Sequence, residues 1–140
     1  MNFSAQRYQG TGINHDKEEF EGQFSVSSLA GTPSQSLSYT ATRLSDRTVV
    51  HREIGLLTEN EQGELQLHVH MEELPCTTVH QLKSQSQDCW VFEYHGQGKL
   101  AGFSSELVFQ FEGEKFKYLH RWAMAGEVSD KSWCLLERVE

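Results

Sequence analysis

The feature that most constrains this chain is hydrophobic alternation with a period of two, repeated along almost its whole length. In 64–74, Leu65, Leu67, Val69 and Met71 alternate with Glu64, Gln66, His68, His70 and Glu72. In 116–124 the residues sharing a face are Phe116, Tyr118, His120, Trp122 and Met124. Trp90, Phe92 and Tyr94 share one in 90–95, as do Leu107, Phe109 and Phe111 in 106–112. Further runs cover 19–28, 37–44, 48–57 and 132–139, the last carrying Trp133, Leu135 and Val139. Successive strand side chains point to opposite faces, so this pattern describes half-buried antiparallel strands.

Turn chemistry separates the runs. Asn60-Glu61-Gln62-Gly63 lies between 48–59 and 64–74, and Glu112-Gly113-Glu114 between 106–111 and 116–124. Such Gly- and Asn-containing connections join hairpins. No apolar 3.6-residue pattern is long enough for a substantial helix; residues 14–19 suit one capped turn. The sequence predicts an all-β fold, a single antiparallel up-and-down barrel of about ten strands spanning 1–140 as one domain. A meander of this length is stable when it closes on itself, because closure removes exposed strand edges.

Charge narrows the partners. Twelve Lys+Arg against twenty Asp+Glu give a formal charge of −8 among 140 residues. Without a basic block the chain has no electrostatic footprint for phosphate backbones, so neither nucleic acid nor an anionic membrane surface is an expected partner. No stretch approaches the ~20 apolar residues of a membrane-spanning helix, and Met1 to Gly12 lacks the pattern of a signal peptide. Cys76, Cys89 and Cys134 are odd in number and form no CxxC pair, which suits a reduced, cytoplasmic setting.

Several short motifs resemble those of nitrobindin-like calycin barrels. They are Gly10-Thr11-Gly12 ahead of an acidic loop, Leu37-Ser38-Tyr39-Thr40-Ala41-Thr42, and Val50-His51-Arg52-Glu53-Ile54-Gly55-Leu56-Leu57. The last is the stretch from Phe116-Lys117-Tyr118 to Val139. The chain also resembles the broader fatty-acid-binding-protein-like group, without the two-helix lid that group places after its first strand. The resemblance implies a lipocalin-like, ten-stranded barrel around an apolar cavity, which nitrobindins use to hold haem through a histidine on the last strand. Here the corresponding stretch reads Asp130-Lys131-Ser132-Trp133-Cys134. Histidine is absent from it, so haem is not expected and no cofactor is assigned; Cys134 reads as a buried structural thiol rather than an axial ligand.

Candidate ligand-binding residues follow from the most aromatic faces. His120 shares its face with Phe116, Tyr118, Trp122 and Met124, and a cavity would add Trp90, Phe92 and Tyr94. Ligand sites are mostly apolar with a few placed polar groups, so His120 is the expected polar fixture, able to orient a carboxylate or carbonyl. His51 and Glu53, two apart, share a face and form either a pair or part of an outward polar surface; barrel topology lets His80 approach His51. His68 and His70 form an HxH, the low-ranking metal candidates, with donor types suited to zinc or non-haem iron. If the apolar face of that strand points inward, these two face solvent.

No catalytic motif is present. There is no G-x-S-x-G, P-loop or HExxH, and Gly10-Thr11-Gly12 precedes no helix. Three functions from different classes fit what remains. The first is a non-catalytic barrel holding a small hydrophobic or amphipathic ligand. The second is a metal-binding protein or metal-dependent enzyme using His68 and His70, and the third is a ligandless interaction domain filled by its own aromatics.

Overall fold

The computed structural model describes residues 2–4 and 6–139. Ten strands follow one another: β1 (Arg7–Ile13), β2 (Glu19–Ser28), β3 (Gln35–Arg43), β4 (Val49–Glu59) and β5 (Leu65–Met71) form the first half. The second half is β6 (Thr78–Gln85), β7 (Cys89–His95), β8 (Ser104–Glu112), β9 (Lys115–Ala123) and β10 (Ser129–Arg138). A single 3-10 turn, Gly98–Leu100, precedes β8. Each strand pairs antiparallel with its neighbours in sequence, and β1 pairs with β10 to close the barrel. No helix is long and apolar enough to cross a membrane among the described residues.

The closing seam explains Gly10-Thr11-Gly12. A Cβ on Gly10 would stand 1.6 Å from the Leu135 carbonyl oxygen, and one on Gly12 would stand 1.9 Å from that of Trp133. These glycines let two backbones approach where side chains would hold them apart. The motif belongs to the barrel wall.

Alternation places one face of each strand inside. Leu67, Val69 and Met71 are buried, whereas His68 is half-buried and His70 exposed. One end of the barrel is filled by rings: Phe24, Trp90, Phe109 and Phe116 surround Phe3, with centroids 5.2–5.4 Å from its own. Phe3 belongs to no strand. Its amide donates to Gln35 Oε1 at 2.9 Å, and Gln35 Nε2 donates back to its carbonyl at 3.2 Å. The plug is thus anchored by a buried amide as well as by packing.

Three strands depart from the simple expectation that apolar side chains face inward. On β10 the inward residues are Cys134 and Leu136, while Trp133 and Leu135 point out. The β9–β10 register shifts between Asp130 and Ser132, and Trp133 lies beneath the Lys117 ammonium at 5.0 Å on the outer surface. On β4, Ile54 is 69% exposed while Glu53 and Leu57 are buried. On β6, Thr78 and His80 are buried while Val79 faces outward. His80 does not approach His51; its Nδ1 and Nε2 meet the Thr78 and Ser105 hydroxyls at 3.3 and 3.1 Å. Polar groups therefore collect inside, and they collect toward the end opposite Phe3.

Candidate functional site at the open end of the barrel

At that end a cavity of about 470 Å³ opens between the start of β4 and the ends of β3, β5 and β9. Phe20, Ala41, Val50, Met71 and Leu74 supply apolar wall, and Trp122 and Met124 stand at the mouth. Met124 is 70% exposed. Lys131 Nζ lies 4.9 Å above the Trp122 ring.

Beneath the cavity lies a cluster of three polar side chains from two strands. His51 and Glu53 share the inward face of β4, and His120 comes from β9. Glu53 Oε1 accepts from His120 Nε2 at 3.1 Å and stands 3.5 Å from His51 Nε2. Each imidazole has a second partner on its Nδ1: Glu73 for His51, at 2.5 Å, and the Ser132 hydroxyl for His120, at 3.3 Å. Tyr39 stacks on the His120 ring with 6.0 Å between centroids, and Tyr118 lies against it at 4.5 Å. Among the described residues, Glu53 Oε2 and His51 Nε2 are buried without a hydrogen-bond partner.

The electrostatics follow from this packing. Burial alone would raise the Glu53 carboxyl, but the charge and hydrogen bond of His120, then those of His51, hold it well below the usual carboxylate range. Burial likewise opposes charge on His51, yet its contacts with Glu53 and Glu73 lift it to about 10. Glu73 is lowered in turn, its partial burial outweighed by His51. The phenols of Tyr39 and Tyr118 are raised, first by burial and then by neighbouring groups that include Glu53. The cluster is a charged, water-poor floor under an apolar cup.

The residues expected from sequence divide between the two ends. His51, His120, Trp122 and Met124 line the cavity. Tyr118 is buried behind His120. Phe116, Trp90 and Phe92 lie in the packed aromatic core instead, because the inward faces of their strands continue past the cavity into the plugged end. Tyr94 lies against His80 and Phe103, with ring centroids 5.5 and 6.5 Å away. His68 and His70 stand on the outer side of β5, bonded to Gln66 and Thr77, and converge with no third metal-binding donor among the described residues. Among the described residues the group of three that does converge is His51, Glu53 and His120, with donor atoms within 4.8 Å of one another.

Sequence reasoning did not reach Glu73, Ser132 or Tyr39. Glu73 follows Glu72 just past β5, beyond the alternating residues; the β4–β5 pairing, Glu53 opposite Met71, brings it back to His51. Ser132 lies opposite His120 in the β9–β10 register, beyond the irregularity that follows Asp130. Cys134, next on the same inward face, is buried, and burial pushes its thiol up to about 11 against a weaker opposing contact with Tyr39. It is a wall residue.

Comparisons with known proteins agree on architecture. No family model matches the chain, and no curated protein matches it. The crystal structure of Rv2717c from M. tuberculosis superposes with a TM-score of 0.70 over 97% of this chain and 92% of that one, at 17% identity. The chain therefore shares the fold of that protein, a similarity of backbone path at low sequence identity.

Proposed function

We propose that this protein is a non-catalytic carrier or receptor for a small amphipathic molecule held at the open end of its barrel. The observation that carries the reading is the cavity of about 470 Å³, apolar in its walls and set above the buried His51–Glu53–His120 cluster. Ligand sites are typically concavities of about 300–1,000 Å³ with apolar walls and a few convergent polar groups. At the opposite end aromatic rings fill the interior around Phe3, and the groove of about 770 Å³ outside them is lined mostly by polar residues such as Asn2, Glu59, Glu64 and Gln85, so the interior offers a cup rather than a channel.

The reading uses no haem and no catalytic step. The inward positions of β10 at this end are Ser132, engaged by His120, and the buried Cys134. A neutral environment-sensitive dye is expected to bind saturably at about one per chain, with the Trp122 emission responding. Val50→Trp, which fills the cup from a half-buried wall position, is expected to abolish that binding while the circular dichroism stays unchanged. Absence of saturable binding to the unaltered protein would favour the filled, ligandless barrel.

A further inference from the structure

We propose that His51, Glu53 and His120 form a binding site for a divalent transition metal ion, of which zinc fits best. The inference is independent of whether an organic ligand occupies the cup above. Two imidazoles and one carboxylate are a donor set that zinc accepts, leaving a fourth position for water or a ligand. Donors bonded at roughly 2.0–2.2 Å to a tetrahedral ion stand about 3.3–3.6 Å from each other. Glu53 Oε1 lies 3.1 Å from His120 Nε2 and 3.5 Å from His51 Nε2, so two edges of the tetrahedron already have nearly that length. The third edge, between the two histidines, lies within 4.8 Å.

The surroundings strengthen the assignment. Metal-bound histidines hold their second ring nitrogen on a carboxylate, carbonyl or hydroxyl, which fixes the tautomer and aims the free nitrogen at the ion. Both histidines here do so: His51 Nδ1 on Glu73, His120 Nδ1 on Ser132. Both therefore present Nε2 to the same carboxylate. Glu53 is 5% exposed, and its Oε2, like His51 Nε2, is buried with no hydrogen-bond partner. Buried polar atoms are nearly always satisfied, and an ion bound between the three side chains through Glu53 Oε1 would account for His51 Nε2. The apolar cup leaves the site reachable from solvent through His51 and His120, both of which line it.

The test uses the full chain, freed of metal by a chelator and titrated with Zn²⁺ by calorimetry and with Co²⁺ by visible absorption. One ion per chain is expected, with the intense d–d bands of tetrahedral cobalt and no response to Mg²⁺ or Ca²⁺. Proton NMR of the cobalt form is expected to show two exchangeable, paramagnetically shifted imidazole N–H signals, one for each histidine. His51→Gln and His120→Gln should each weaken zinc at least about 100-fold, whereas His68→Gln/His70→Gln should leave it unchanged. Glu73→Gln, at the half-exposed rim, should cost about 10-fold or more while keeping the stoichiometry. Absence of saturable binding, absence of the shifted N–H signals, or binding lost only in the His68/His70 variant would overturn the proposal. The shifted N–H signals are expected to belong to rings in contact with Tyr39 and Tyr118, which lie against His51 and His120 and not against His68 or His70, so this readout decides the matter without a variant.

Discussion

Glu53 Oε1 and His120 Nε2 meet at 3.1 Å inside the barrel although 67 residues separate them along the chain. The pair joins β4 to β9 across the interior, and both side chains are almost wholly buried. Removing one member strands the other as an uncompensated buried group. Glu53→Ala is therefore expected to cost about 3–5 kcal/mol, and adding His120→Ala should recover part of that loss. Urea unfolding of the two single variants and the double variant measures the coupling; additive losses would mean that the contact contributes nothing of its own.

The plug at the other end gives a second expectation. Phe3 is 5% exposed and touches rings from β1, β2, β7, β8 and β9. Phe3→Ala should leave a cavity at that end and cost about 3–5 kcal/mol. Chemical denaturation reads the loss, and a change below about 1 kcal/mol would show that the rings close over the gap.

His80 sets an acid limit on stability. Burial, reinforced by the charge on His120 and only partly offset by Glu53, lowers its imidazole from 6.5 to about 4. Above the unfolded value both states hold it neutral and nothing is lost. As the pH falls from 6.5 toward 4 the unfolded chain takes up a proton that the folded one refuses, so stability drops. The full drop is on the order of 3 kcal/mol, at ~1.4 kcal/mol per unit. Thermal melts between pH 7.5 and 4.5 should fall steadily for the native chain and much less for His80→Gln. Parallel curves would place the acid sensitivity elsewhere.

Ligand polarity is a fourth point of test. Sequence alone gives His120 the task of orienting a carboxylate or carbonyl, but both its ring nitrogens are engaged, by Glu53 and Ser132. Among the described residues Glu53 Oε2 lacks a hydrogen-bond partner, and at the cup Glu18 is offset by Arg43 at 2.9 Å while Asp16 and Glu73 leave the acids in excess of the guanidinium. A hydrogen-bond-donating head is better matched than an anionic one. In dye displacement on the metal-free protein, decylamine is expected to bind at least about tenfold more tightly than decanoate, a difference of roughly 1.4 kcal/mol. The reverse order would return His120 to the role that its face suggests.

How much of this was legible in the residues depends on which strand is considered. Alternation in 64–74 marks Leu65, Leu67, Val69 and Met71 as one face; the last three are buried and Leu65 is partly buried against the core, which leaves His68 and His70 on the outer face. The same rule misleads on β4 and β6, where Glu53, Thr78 and His80 face inward and Ile54 and Val79 face out. Hydropathy reports the average cost of burial; it does not see a partner that removes that cost, and the partners of Glu53 and His80 come from β9 and β8. On β10 the choice between Trp133 and Cys134 turned on pairing with Gly12 and Tyr118, opposite Cys134 in the register. Phe3 lies outside every alternating run, so nothing local marked it as the plug.

The glycine-lined seam has a kinetic consequence. Nine of the ten pairings join strands consecutive in sequence, so hairpins zip together locally, each one adding to the edge left by the last. Only β1 with β10 must bring Tyr8 to Arg138 from nearly opposite ends of the chain. The entropy of closing so large a loop is recovered when that last ladder forms, which makes it the late step of folding. Until then both edges of a curved, ten-stranded sheet stand open, β1 presenting Gly10 and Gly12 with no side chains to guard its edge. The protein's exposure to mispairing with another chain is thereby confined to the interval before its first and last strands meet.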